Sequence, residues 1–246
     1  MKMSKTRLYI DKQLSSNIMI YIKNKQYHFL KNVLRTKIQD NILIFDGLTG
    51  EWLSKIVSIN RDNIVLQVIR KTRDLKSETD FWLIFAPIKL FRMNIIIQKA
   101  TELGITRFVP CITQNTNQPK INIRNLKMNI IEASEQSERL SLPKIDEPIK
   151  FDKLVANFPK DRCLIFCNEM NEKLPMIHEA ILKKVDQYKK WAVLIGPEGG
   201  FSKQEAEKIV SLGSTISVSL GERILRSDTA TTAAIFSLQS LVENRK

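Results

Sequence analysis

Leu194-Ile195-Gly196-Pro197-Glu198-Gly199-Gly200-Phe201-Ser202, followed by Leu220-Gly221-Glu222-Arg223-Ile224-Leu225-Arg226-Ser227-Asp228-Thr229-Ala230, is the pair of segments on which the fold turns. Residues 191–195 are a short apolar run of the kind a buried strand shows, and residues 216–220 read as a second one. Both runs end at glycine. Gly196, Gly199 and Gly200 permit turns and a close ligand approach that a Cβ would block, and Gly221 does the same after the second run. Each loop then feeds a helix. Strands of one sheet that end in such loops build a crevice at their carboxyl ends, the usual ligand position in open α/β sheets.

Outward from these loops, the chain from residue 81 alternates strand and helix. Strands are expected at 81–86, 107–111, 163–167, 191–195 and 216–220, with helices at 93–103, 126–138, 176–185, 202–212 and 228–242. Gly104 and Gly213 sit at helix ends, and Ser202 with Glu205 makes a capping box. The expectation is an α/β domain with a largely parallel sheet. The first seventy residues differ. Branched-residue runs at 7–10, 41–45, 51–59 and 64–70, joined by turns at Asp46-Gly47 and Asn60-Arg61-Asp62-Asn63, predict a small β-barrel-like module. One helix near 25–35 puts Tyr27, Leu30 and Leu34 on one face. Residues 71–79 are polar and charged and mark a boundary, which gives domains at 1–72 and 73–246.

Composition narrows the function classes. The 246 residues are 43% hydrophobic, enough for one large core or two modest ones. No run reaches membrane-spanning length, and Met1-Lys2-Met3-Ser4-Lys5 is not followed by a signal-peptide core, so a cytoplasmic protein with no membrane partner is expected. Cys111, Cys163 and Cys167 form no zinc ligand set and their odd number argues against a disulfide framework; Cys163 and Cys167, which flank Leu-Ile-Phe in an expected buried strand, read as core, and no metal is expected. The net charge is +13, and residues 1–72 hold 13 basic and 5 acidic side chains. An excess concentrated at the front points to a polyanion such as RNA or DNA.

The first glycine loop does not suit a phosphate. A Walker loop lacks its lysine here, and Gly196-Pro197-Glu198 does not supply the Gly-x-Gly of a dinucleotide site. A rigid loop remains, with Pro197 fixing one dihedral and free backbone groups suited to the polar edge of a flat heterocycle. The second loop adds Arg226, Asp228 and Thr229 before a helix of small residues, 229–234. Ser227 or Asp228 equally suits the N-cap of that helix.

Ile195-Gly196-Pro197-Glu198-Gly199-Gly200 with Glu205, then Leu220-Gly221 and Ile224-Leu225-Arg226 followed by Thr229-Ala230, resembles the RsmE family, 16S ribosomal RNA uridine-N3 methyltransferases of the SPOUT superfamily. Val33-Leu34-Arg35, Phe45-Asp46-Gly47, Gln98-Lys99, Glu102-Leu103-Gly104, Glu135-Gln136 and Arg139 extend the resemblance along nearly the whole chain. The resemblance implies a PUA-like RNA-binding barrel followed by a SPOUT α/β domain with a trefoil knot at about 191–234, working as a homodimer on 16S rRNA of the small ribosomal subunit. It implies that S-adenosylmethionine sits against Leu194, Ile195, Gly196, Glu198, Gly199 and Gly200, and against Leu220, Gly221, Ile224, Leu225 and Arg226. For methylation of uracil N3, Arg226 would stabilise charge developing on the base, and Glu198 or Asp228 could take the N3 proton. Arg7, Arg35, Lys89, Arg92, Lys99 and Arg139 are the candidate RNA contacts, and His28 reads as a packing residue.

The chain departs from the family pattern in places. Lys89-Leu90-Phe91 stands for Lys-Gly-Asp, Asn94 for an acid, Thr113-Gln114-Asn115-Thr116 for a segment with a Glu-Arg pair, and Asp228 for glutamate. These departures bear on RNA contacts more than on the cofactor. Two other readings compete: a SPOUT methyltransferase for another RNA, against which the front barrel and Glu135-Gln136 argue, and a noncatalytic RNA-binding or ribosome-assembly protein, against which the intact glycines and Arg226 argue.

Overall fold

The computed structural model describes residues 3–118, 120–168 and 174–243. Two compact units emerge, the first comprising Met1–Ser77 with Ser134–Leu142 and the second Glu78–Ala133 with Pro143–Lys246.

In the first unit the two-residue period of apolar side chains makes strands. Strand β1 (Met3–Tyr9) and β2 (Met19–Ile22) precede a short helix α1 (Asn24–His28), then come β3 (Asn41–Phe45), β4 (Glu51–Ile59) and β5 (Ile64–Arg73). They form one five-stranded sheet in the order β1-β3-β4-β5-β2, with β1 parallel to β3 and the other pairs antiparallel. Ile42, Ile44, Ile56, Ile64 and Leu66 are fully buried on one side of it. The Asp46-Gly47 turn is held from within, because the Asp46 carboxylate accepts from the backbone N–H groups of Leu14, Leu48 and Thr49 and from the Thr49 hydroxyl. At Gly50, φ is +110° and an added Cβ would lie 2.3 Å from the Arg73 carbonyl oxygen, so only glycine fits.

Two features differ from the sequence reading. Strand β2 was not expected; its Ile20 and Ile22 are buried while Met19 and Tyr21 are exposed. The helix does not continue as an α-helix either. From Phe29–Val33 it is a π-helical turn, closed by Leu34 N–H donating to the Phe29 carbonyl at 2.9 Å. The wider turn rotates Leu34 away from the face that buries Leu30 and leaves it 38% exposed.

The second unit contains β6 (Asp80–Phe85), α2 (Leu90–Glu102), β7 (Arg107–Ile112), α3 (Ile123–Gln136), β8 (Lys144–Ile145), β9 (Ile149–Lys150) and α4 (Phe151–Ala156). It continues with β10 (Arg162–Cys167), α5 (Ile177–Leu182), β11 (Lys190–Ile195), α6 (Lys203–Val210), β12 (Thr215–Val218) and α7 (Ser227–Glu243). The last residues of α3 lie in the segment assigned to the first unit. The sheet order is β12-β10-β11-β6-β7-β8, all pairs parallel, with β9 attached to β7. Leu83, Ile84 and Phe85, and likewise Ala192, Val193 and Leu194, are buried in unbroken runs, as strands covered on both faces must be. The parallel α/β architecture expected from the alternating pattern is thus present.

Two consequences position the site. Strand β10 lies between β11 and β12, so the two glycine loops leave strands that are not neighbours. At the amino end of β10, the buried Arg162 donates to the Asp80 carboxylate at 2.5 Å and to the Trp191 carbonyl at 2.9 Å, with its guanidinium 3.7 Å from the Trp82 ring centroid. That clamp ties β10, β11 and β6 at the sheet end opposite the loops.

Candidate active site

The carboxyl end of β10 and the loops after β11 and β12 surround a cavity of about 280 Å³, just below the roughly 300 Å³ at which drug-sized sites begin. Phe166, Ile195, Ile224, Leu225 and Ala230 give it apolar walls, while Gly196 and Gly200 present bare backbone. A smaller cavity of about 70 Å³ adjoins it, sharing Cys167, Asn168, Ile224, Leu225 and Ala230 and reaching Leu220 and Gly221.

The first loop is held by an aromatic anchor. Phe201 packs edge-on to Phe166 with centroids 5.4 Å apart, in the core cluster that also holds Leu164 and Leu194. That ring fills the space beside Gly196, where an added Cβ would come within 2.8 Å of it. Gly200 has φ +65°, and its N–H donates to the Pro197 carbonyl at 2.9 Å, closing a turn. Helix α6 then starts with a complete capping box between Ser202 and Glu205. The other Glu205 oxygen accepts the Gln114 backbone N–H at 2.8 Å. Ser227, from the second loop, donates its hydroxyl to the Gly196 carbonyl at 3.3 Å and so links the two glycine loops.

Three charged side chains, Arg92, Glu198 and Arg226, line the cavity, and Asp228 meets it only through Arg92. Arg226 is exposed and Glu198 is exposed, and neither side chain makes an ion pair with another described residue. Asp228, in the first turn of α7, is engaged by Arg92 from α2 at 3.8 Å and accepts the Thr229 N–H at 3.1 Å. A fixed pair therefore sits beside a free cation and a free carboxylate. The floor adds Cys167, whose thiol burial pushes up to about 12, so it is protonated at neutral pH and is not a nucleophile.

Of the residues singled out from the sequence, Arg92, Ile195, Gly196, Glu198, Gly200, Ile224, Leu225 and Arg226 line the main cavity, and Asp228 does not. Leu220 and Gly221 line the smaller one. Leu194 is 1% exposed and lies under the loop as core; Gly199 turns toward Asn115. The sequence reading does not anticipate that the end of β10, through Phe166, Cys167 and Asn168, also walls the cavity. No glycine follows β10 to advertise it, although the strand-end logic applied to the two glycine loops applies here as well. Cys167 is accordingly corrected from core residue to cavity wall, whereas Cys111 and Cys163 are fully buried.

The expected RNA contacts scatter. Arg7 is withdrawn from that set: it is 8% exposed and its guanidinium is paired with the buried Glu51 carboxylate at 2.6 Å, so it cannot reach a phosphate. Arg35 is exposed, with φ +51°. Arg139 is half-buried and donates to the Ser141 hydroxyl at 2.9 Å. In the second unit Lys89 is exposed just before α2, Arg92 holds Asp228, and Lys99 pairs with Glu102 at 2.9 Å. Among the described residues no cluster could hold a metal ion, and no helix is long and apolar enough to cross a membrane.

Comparison with known proteins gives this geometry a setting. Residues 75–239 match the RNA methyltransferase domain family, and residues 22–69 match the RNA methyltransferase PUA domain family. Ribosomal RNA small subunit methyltransferase E of Rickettsia conorii is 33% identical over 243 residues, which is 97% of each chain. The chain belongs to the ribosomal RNA small subunit methyltransferase E family. Within the family setting, the five-stranded sheet of the first unit is the PUA-like domain and the parallel α/β unit is the methyltransferase domain. Two solved structures share the whole architecture. One is a Legionella pneumophila protein solved with the cofactor SAM bound, at TM-score 0.82 and 26% identity, covering 96% of this chain and 97% of that one. The other is the Neisseria gonorrhoeae ribosomal RNA small subunit methyltransferase E bound to S-adenosyl methionine, at TM-score 0.78 and 26% identity with the same coverage.

Proposed function

We propose that this protein methylates N3 of a uridine in 16S rRNA of the small ribosomal subunit, with S-adenosylmethionine as methyl donor. One observation carries the reading: a cavity walled by the end of β10 and the loops after β11 and β12, with an arginine and a carboxylate at it that no other described residue pairs, in a chain of this family. The residues fit the donor. Bare backbone at Gly196 and Gly200 suits the polar edge of an adenine, and Phe166, Ile195, Ile224 and Leu225 suit its faces. The relatives from L. pneumophila and N. gonorrhoeae, which carry the same fold, were solved with this cofactor.

S-adenosylmethionine, when bound, supplies an electrophilic methyl group on a sulfonium. The work of the chain is to orient the base and manage one proton. Loss of the N3 proton leaves negative charge on the ring, shared with its carbonyl oxygens. Arg226 stabilises that charge as it develops, because its guanidinium lines the cavity and forms no ion pair with another described residue. Glu198 accepts the N3 proton. Asp228 is the weaker candidate, since Arg92 already holds it and its side chain is shorter than glutamate by one methylene. In this reading Arg92 is a positioning residue for the start of α7 rather than an RNA contact.

The same reading includes the trefoil knot at about 191–234, the homodimer and the cytoplasmic location implied by the resemblance, and an RNA surface to which Arg35, Lys89, Lys99 and Arg139 contribute. Ribosomal RNA from a strain lacking the protein, examined by mass spectrometry, should lack one N3-methyluridine, and the plasmid-borne gene should restore it. Calorimetry with S-adenosylhomocysteine tests the competing idea of a noncatalytic RNA-binding protein. No detectable binding together with an unchanged rRNA modification pattern would reject the enzymatic reading.

A further inference from the structure

We infer that Asn115 is a positioning residue that latches the glycine loop of the cofactor cavity in its binding shape; the inference rests on the methyl-donor reading of that cavity. The Asn115 side-chain amide donates to two successive carbonyls, those of Gly199 at 2.9 Å and Gly200 at 3.2 Å. It does so from the turn after β7, a part of the chain far from the loop in sequence and absent from the cavity lining.

The turn that carries it is itself rigid. Thr113 is 6% exposed; its N–H donates to the Thr116 hydroxyl at 2.9 Å and its carbonyl accepts the Thr116 N–H at 3.2 Å. The neighbouring Gln114 N–H donates to Glu205, the buried carboxylate that caps α6. Two consecutive residues of one turn thus grip both ends of the segment 199–205. The close approach also accounts for Gly199, where an added Cβ would lie 3.2 Å from the Asn115 Cβ.

A Gly-Gly pair gains more freedom when released than any other dipeptide, so a loop built on one needs an external tie to hold a single shape. Removing the tie leaves the cavity walls intact but makes the ligand order the loop, which lowers affinity without altering the reacting groups. Asn115 therefore acts on the cofactor through Gly199 and Gly200.

The test uses the full-length protein and the variants Asn115→Ala and Asn115→Asp. Aspartate keeps the shape and turns an oxygen toward two carbonyl oxygens. Both variants should weaken S-adenosylhomocysteine binding by about tenfold in calorimetry, as expected from losing two hydrogen bonds of ordinary strength. In turnover, KM for the methyl donor should rise with kcat nearly unchanged. In ligand-free protein, amide exchange across 198–202 should accelerate about tenfold while the thermal midpoint moves by no more than about 2 °C. Unchanged affinity and unchanged exchange in Asn115→Ala would overturn the latch. Faster exchange in a protein whose wild type binds no S-adenosylhomocysteine would instead sink the methyl-donor reading and leave the tie itself standing.

Discussion

Arg226 and the two acids near it define the chemistry at the scale of single residues. Arg226→Ala should lower kcat by at least about a hundredfold, the usual loss when a group that stabilises developing charge is removed, while S-adenosylhomocysteine affinity changes by less than about threefold. Wild-type turnover in that variant would end the assignment. Glu198 and Asp228 separate by their partners, since only Asp228 is ion-paired, with Arg92 at 3.8 Å. Glu198→Gln should therefore cost kcat more than Asp228→Asn, and raising the pH, which ionises uracil N3 without help, should recover part of the Glu198→Gln loss. A larger loss in Asp228→Asn with no recovery at high pH would reverse the roles. Residue identity alone could not make this distinction, because the sequence shows two carboxylates near one arginine and says nothing of which is occupied.

At the scale of elements, the loop after β11 is anchored at its start by an aromatic contact. An alanine at Gly196 would put its Cβ 2.8 Å from the Phe201 ring, which is locked against Phe166. Gly196→Ala should cost about 1–3 kcal/mol of unfolding free energy in denaturant titrations, as overpacked cores do, and should weaken cofactor binding as the anchor is pushed off Phe166. Full stability and affinity in that variant would show the loop to be softer than its packing. The capping box at Ser202 and Glu205 was legible in the sequence because it is a four-residue pattern set by helix geometry. The π-helical turn at Phe29–Val33 was not, because nothing in the spacing of Tyr27, Leu30 and Leu34 distinguishes it from an α-helix. Strand β2 was missed for a related reason, since only four residues carry its alternation.

The molecule as a whole joins a basic front unit to an α/β unit. Glu51 is buried; desolvation on its own would raise its pKa, but hydrogen bonds from Thr72 and Arg7 and the charges of Arg7 and Arg73 together hold it below its ordinary 4.5. A carboxylate lowered in the native state lends stability that is full above that ordinary value and lost as the pH falls through the native one. The first unit should therefore lose stability below about pH 4.5, and Arg7→Ala, which strips a buried partner from Glu51, should cost about 3 kcal/mol in denaturant unfolding and flatten the acid limb. An unaltered acid profile in Arg7→Ala would reject the pairing as a stabilising contact. Net charge of +13 with the excess in residues 1–72 predicts RNA affinity that falls steeply between low and moderate salt; a flat response in a filter-binding titration would remove the front unit from RNA recognition.

The alternation of strand and helix, the parallel sheet and the two glycine loops, the second with Arg226 in it, are legible in the chain, since they are written in local periodicity and in the residue type that tight turns favour. What lies next to what is set only when the strands assemble. Assembly put β10 between the two loop-bearing strands and so added Cys167 and Asn168 to the cavity, it buried Arg7 against Glu51, and it brought Asn115 to Gly199 across more than eighty residues of chain. Such neighbours are set by strand order and packing, for which no single stretch of sequence carries a signal.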